Sequence, residues 1–162
     1  MKNSFLEINF DKNNSALKLL ISKKSFSDTS EIIVNKLYEK IALISEKEYG
    51  FTFKDTYSKL LNTKANDLIF TENGILLISQ TLEKITNNFL MLLRLAKPIY
   101  LKKDFGIKTD VIFTIFTPNN IDTSNKLQLL SKISRILNRS NIKKEIKGID
   151  KAEDVLALLI NL

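Results

Sequence analysis

The residues best placed for chemistry are Ser79 and Gln80, the polar end of an apolar run in the stretch ENGILLISQ, residues 72–80. A serine hydroxyl becomes a useful nucleophile only when a neighbouring base takes its proton. The chain contains no histidine and no cysteine. The commonest general base, the commonest transition-metal ligand, thiolate nucleophiles, disulfides and cysteine-bearing zinc sites are therefore all excluded. A desolvated lysine or a carboxylate is all that remains to serve as base. Asp150, Glu153 and Asp154 resemble helix N-terminal caps more than a metal cluster, so neither metal nor cofactor is expected. Ser79 and Gln80 then read either as a site that recognises a partner or as the place where a sheet meets water.

Charge is the second candidate signal. The net charge is +7, from lysines and only three arginines, Arg94, Arg135 and Arg139. Lysine, asparagine and isoleucine are abundant together, as an A/T-rich coding sequence produces, so basicity alone says little about partners. Its distribution says more. Residues 123–149 hold Lys126, Lys132, Arg135, Arg139, Lys143, Lys144 and Lys147 against Glu145 alone. The stripe of Lys132, Arg135 and Arg139 lies opposite an apolar stripe, the pattern of a solvated helix face. An acidic protein partner is the next reading of it. A nucleic-acid-binding module comes last, because no stacking aromatics are interleaved with these cations.

The elements that must position these residues follow from periodicity. At 162 residues the chain is expected to be one domain, 1–162, able to bury a core without staples. No signal-length apolar core opens it, and the longest apolar run, FLMLL, is far short of the ~20 residues a membrane helix needs. A soluble cytoplasmic protein without membrane insertion is expected. SALKLLIS (15–22) predicts a first strand. Asp28 and Glu31 have capping-box spacing, and Ile33, Leu37, Ile41 and Ile44 follow at helical spacing up to Gly50, predicting a long helix. KDTYSKLLN predicts a shorter helix capped by Asp55. DLIF and ILLISQ flank Asn73-Gly74, a pair that supplies positive φ angles to a tight hairpin. Residues 88–96 and 110–118 predict strands, the second apolar enough to be covered on both faces. Three helices are expected to finish the chain, from SNKLQLLSKISRILN, NIKKEIKGI and KAEDVLALLINL.

LLNTKANDLIFTENGILLIS, residues 60–79, resembles without a gap a segment of the enzyme IIA domains of the bacterial phosphoenolpyruvate-dependent phosphotransferase system, of the mannitol, fructose and nitrogen-regulatory type. In that family a helix ending Leu-Leu-x-Arg-Glu leads to Gly-Ser-Thr-Gly-Ile-Gly-Asn-Gly and an apolar strand ending Pro-His. Leu60, Leu61, Asn73 and Gly74 match, and Ile75 to Leu77 keep the strand. LLRLAKPIYL, FGIKTDVIFTIFTP and the C-terminal helical segments are similar in pattern, extending the resemblance from about residue 15 to the C-terminus.

The resemblance implies an α/β fold: a mixed sheet of four to five strands with helices on both faces, in three α/β/α layers. The departures fall on the chemistry. Ser79 stands at the position of the phosphoaccepting histidine, Ile78 at the preceding proline, Thr63 and Lys64 at the Arg-Glu pair, and Lys126 at a second histidine that commonly opens the later helix. Imidazole carries phosphoryl groups because its nitrogen–phosphorus bond is labile, whereas a serine ester is stable and a poor donor. Leu68, Ile69 and Phe70 replace the glycines and hydroxyls that would bring backbone N–H groups to phosphate oxygens. The expectation is a regulatory, non-catalytic relative that acts by binding protein, with residual phosphocarrier activity as the alternative. Phe70, Ser79, Gln80, Lys64 and Lys126 are the candidate partner-binding residues, although core is the commoner fate of a phenylalanine. The partners the resemblance implies are the histidine-bearing phosphocarrier protein, IIB domains, sensor kinases or potassium-transport proteins.

Overall fold

A computed structural model describes residues 4–10, 15–22, 30–102, 107–149, 154–155 and 157–158. In chain order the elements are strands β1 (Ser4–Phe10) and β2 (Ser15–Ser22), helices α1 (Ser30–Tyr49) and α2 (Phe53–Leu61), a 3-10 turn (Ala65–Asp67), strands β3 (Leu68–Phe70), β4 (Ile75–Leu82), β5 (Phe89–Lys102) and β6 (Ile107–Pro118), and helices α3 (Thr123–Leu137) and α4 (Ile142–Gly148). Residues 154–155 and 157–158 are again helical.

The strands form one mixed sheet in the order β1-β2-β5-β6-β4-β3. β2 runs parallel to β5 and β4 parallel to β6, and the other three pairings are antiparallel. The three-layer α/β arrangement is as expected, with one strand more. The addition is β1, which among the described residues pairs with β2 alone. Its sequence, SFLEINF, breaks the apolar run with Glu7 and Asn9, and a one-neighbour edge strand does not need the continuous apolar run of a central one.

Helices cover both faces, which explains why β4 and β6 are nearly unbroken in apolar residues. Leu76 and Ile78 of β4 meet Leu37 and Ile41 of α1 and Leu60 of α2. Ile75 and Leu77 point the other way, to Ile133, Ile136 and Leu137 of α3 and Ile142 and Ile146 of α4. Val155 joins this second core. Together these are the two sides of a central sheet.

The local signals work with small differences. Gly50 ends α1 at φ +74, its N–H donating to the Glu46 carbonyl at 3.0 Å, the left-handed cap its position suggests. The cap of α2 is not Asp55: Thr52 is the extended residue before the helix, and Asp55 lies in the first turn, where its carboxylate meets the positive end of the helix. The hairpin between β3 and β4 is wider than a two-residue turn. Thr71 N–H bonds the Ile75 carbonyl (2.9 Å), Gly74 N–H bonds Thr71 (3.0 Å), and only Gly74 has positive φ, at +84. This is a type I turn followed by a left-handed glycine. Asn73 uses its side chain instead, bonding the Thr71 hydroxyl and the Arg139 carbonyl. The expected cap at Asp28 and most of the final helix, with Asp150 and Glu153, lie outside the described residues.

Candidate functional site

Strand geometry sends successive side chains to opposite faces, so Ser79 and Gln80 part company. Ser79 is 3% exposed. It lies on the α3/α4 side with Ile75 and Leu77 and pairs across the ladder with Ile115 of β6. Its Oγ has no hydrogen-bond partner among the described residues. Among the described residues, no carboxylate or amine is within hydrogen-bond reach to take its proton.

Gln80 faces the α1/α2 side, two residues beyond Ile78, and is 9% exposed. A buried amide needs partners, and it finds them in the segment after α2. Its Nε2 donates to Thr63 Oγ1 at 3.0 Å and to Asp67 Oδ2 at 3.4 Å. The same Asp67 oxygen accepts the Lys64 backbone N–H at 3.0 Å, closing the 3-10 turn. Tyr38 of α1 completes the group. Burial pushes its phenol above the ordinary value, a hydrogen bond with Thr63 works against this, and the charge of Asp67 adds to it. The phenol is therefore held protonated, and the cluster of Tyr38, Thr63, Asp67 and Gln80 contains no group poised as a base for Ser79, which lies on the other face.

Of the remaining candidates, Lys64 and Lys126 fall at the same end of the sheet, whereas Phe70 pairs with Leu76 at the amino end of β4. β3 pairs Leu68 with Ile78, so the turn carrying exposed Lys64 sits beside the carboxyl end of β4. Phe70, half-buried, packs on the α1/α2 core and adds to its wall. Lys126, partly exposed, lies in the first turn of α3, which starts shortly after β6 ends. Hydrogen bonds join Lys64 and Gln80 through Asp67. Among the described residues no side-chain hydrogen bond or ion pair joins Ser79, Phe70 or Lys126 to them. Tyr38 and Asp67 escape sequence reasoning, and the available signal is Gln80 itself, a polar residue in register with Leu76 and Ile78. A cleft of about 710 Å³, lined by none of these candidates, lies between the end of α1, α2 and the β4–β5 connection.

A second polar centre occupies the opposite end of β4 and β6. Asp110 is 4% exposed, beside Val111, which pairs with the first residue of β4. Its carboxylate meets Lys143 Nζ at 3.2 Å and also Lys147. Burial alone would raise the Asp110 carboxyl, but the two ammonium groups outweigh it and hold it below the ordinary carboxylate value. Arg94, on β5 opposite Val111, donates from Nη1 to the carbonyls of Ile146 (2.8 Å), Lys147 (3.2 Å) and Ile149 (2.5 Å). A guanidinium thus caps the negative end of α4. Two lysines of the basic segment are in this way turned towards the sheet, where they anchor α4. Among the described residues no group of three or more acidic side chains could hold a metal ion, and no helix is long and apolar enough to cross a membrane.

This architecture has known counterparts. The nitrogen regulatory protein IIA-Ntr from Neisseria meningitidis superposes with a TM-score of 0.69 at 19% identity, over 87% of this chain and 92% of that one. Enzyme IIAMTL from Escherichia coli, solved in complex with phosphorylated enzyme IIBMTL, superposes with a TM-score of 0.59 at 11% identity, over 88% and 94%. At such identities the likeness is one of fold. No curated protein sequence matches the chain. The family model described as "Phosphoenolpyruvate-dependent sugar phosphotransferase system, EIIA 2" matches residues 31–162. With most of its length covered by that model, the chain belongs to the type 2 enzyme IIA family of the phosphotransferase system.

Proposed function

We propose that this chain is a regulatory relative of the nitrogen-regulatory enzyme IIA proteins that binds another protein and carries no phosphoryl group. The observation that carries this reading is Ser79: where the resemblance places the acceptor, a buried hydroxyl has no hydrogen-bond partner among the described residues, in a chain without histidine. The surroundings support it. Where the resemblance places a charged Arg-Glu pair, Thr63 joins an amide and a phenol in a hydrogen-bonded cluster that stabilises the fold and offers no phosphate clamp.

The recognition surface lies at the carboxyl end of β4. Exposed Lys64 and partly exposed Lys126 present charge there, Gln80 and Ser79 shape the surface from beneath, and Phe70, opposite Leu76 at the amino end of the strand, lies outside it. The relative IIAMTL is known in a complex with phosphorylated IIBMTL, and a component of the same system is the partner class this reading names first.

The test is to incubate the protein with phosphorylated phosphocarrier protein and weigh it intact, while titrating unphosphorylated phosphocarrier and a IIB domain by calorimetry. Unchanged mass with saturable binding to one component is expected. An added acid-labile phosphoryl group that passes on to a IIB domain overturns the non-catalytic reading, and no binding to any component overturns the regulatory one.

A further inference from the structure

The basic segment divides in the structure. Lys143 and Lys147 are taken up by Asp110. Lys132 and Arg135 are exposed on α3 and have no ion-pair partner among the described residues. Helix α3 has no carboxylate anywhere in Thr123–Leu137. A solvated helix surface ordinarily pairs opposite charges three or four residues apart. Here Lys132 and Arg135 instead stand three residues apart on α3, so like charges repel.

Within this row sits Leu127, 61% exposed. The core does not need it, because Leu129, Leu130, Ile133, Ile136 and Leu137 already pack that helix on the sheet. Leu127 lines a shallow depression of about 360 Å³ with Ser124, Gln128, Ser131, Lys132 and Arg135. The small Ser124 and Ser131 leave room beside it.

We infer that this outer face of α3 docks an acidic amphipathic protein segment, whose apolar side covers Leu127 and whose carboxylates meet Lys132 and Arg135. This rests on the protein-binding reading above and names a surface and a partner chemistry for it. A helical segment fits both halves of the patch, since apolar and acidic stripes alternate along it at the spacing α3 displays. Nucleic acid fits less well: α3 has no aromatic side chain to stack on a base, and a phosphate backbone gains nothing from Leu127. A lipid surface calls for a broad apolar stripe, and the broad stripe of α3 is buried against the sheet.

The test uses the full chain and a synthetic helical peptide with leucines on one stripe and glutamates flanking them, read by fluorescence anisotropy in low and high salt. Binding that weakens with salt is expected, with a loss of about tenfold or more in K132E/R135E and a salt-independent loss in L127S. The neutral pair K132Q/R135Q should fall between, and it replaces the reversal should circular dichroism show that the latter perturbs folding. Failure of the wild type to bind the peptide, or equal binding by the variants, overturns the inference. So does tighter binding to a mixed-sequence DNA duplex or to phosphatidylglycerol vesicles. Calorimetry with the phosphocarrier and IIB domain separates the two readings: binding that survives K132E/R135E leaves the regulatory function standing without this surface.

Discussion

Gln80 and Thr63, seventeen positions apart in the chain, are joined by a 3.0 Å hydrogen bond from amide to hydroxyl. It ties the middle strand of the site to the segment after α2 where the resemblance expects charge. Replacing Gln80 by Leu leaves Thr63 and Asp67 without the amide. The expected cost is about 1–2 kcal/mol, measured by urea unfolding, with Thr63→Val at the lower end because Asp67 still accepts from Gln80.

Ser79→His restores the residue type of a phosphoacceptor without restoring its surroundings. The side chain must fit where Ser79 is 3% exposed against the α3/α4 core. Overpacking there is expected to destabilise the fold by about 1–3 kcal/mol. Intact mass after incubation with phosphorylated phosphocarrier should remain that of the unmodified variant. A phosphorylated product would show that residue type alone limits the chemistry.

Asp110 makes stability depend on pH with a definite sign. Its folded carboxyl titrates below the ordinary value of 3.8, so the stabilisation from Lys143 and Lys147 is complete above that value. It is lost as pH falls through the lower folded value. Asp110→Asn should cost about 1–3 kcal/mol at neutral pH, tempered by the partial exposure of both lysines. It should also flatten the acid limb of an unfolding series run from about pH 5 downward. An unchanged acid limb would assign that limb to other carboxylates.

Gly74 has φ +84, and an added Cβ would stand 3.2 Å from the Lys108 carbonyl oxygen and 3.3 Å from Lys143 Nζ. Gly74→Ala is therefore strained twice, by the left-handed backbone and by a neighbouring backbone atom that cannot swing away. A loss of about 1–2 kcal/mol is expected, seen as a lower Tm. Gly50→Ala, at φ +74 with open space around it, should cost about 1 kcal/mol, from the backbone alone.

Much of the fold is legible without coordinates because its signals are local. The long helix up to Gly50, the glycine of the 71–74 turn and the apolar strands read correctly, since each depends on neighbours within a few residues. β1 is missed because an edge strand interrupted by Glu7 and Asn9 carries no strong period. The Asp55 cap is misplaced by one turn, Thr52 and Asp55 both being residue types that favour helix starts. The site is read less well. Lys64, Gln80, Ser79 and Lys126 do gather towards one end of the sheet while Phe70 falls at the other, but Asp67, which holds Gln80, and Tyr38, which joins Thr63, are invisible until α1 and α2 are laid on β4.

The composition alone settles that no imidazole or thiolate chemistry is possible, because an absent side chain is absent in every conformation. Residue order settles the alternation along β4 and the run of cations on α3, because both are repeats set by backbone geometry. Only the tertiary structure decides which of those cations are used. Lys143 and Lys147 reach Asp110 because β6 lies beneath α4, whereas Lys132 and Arg135 face outward because the opposite stripe of α3 is claimed by the core. Pairing across layers depends on strand order, and strand order is a property of the assembled sheet that no short window of sequence contains.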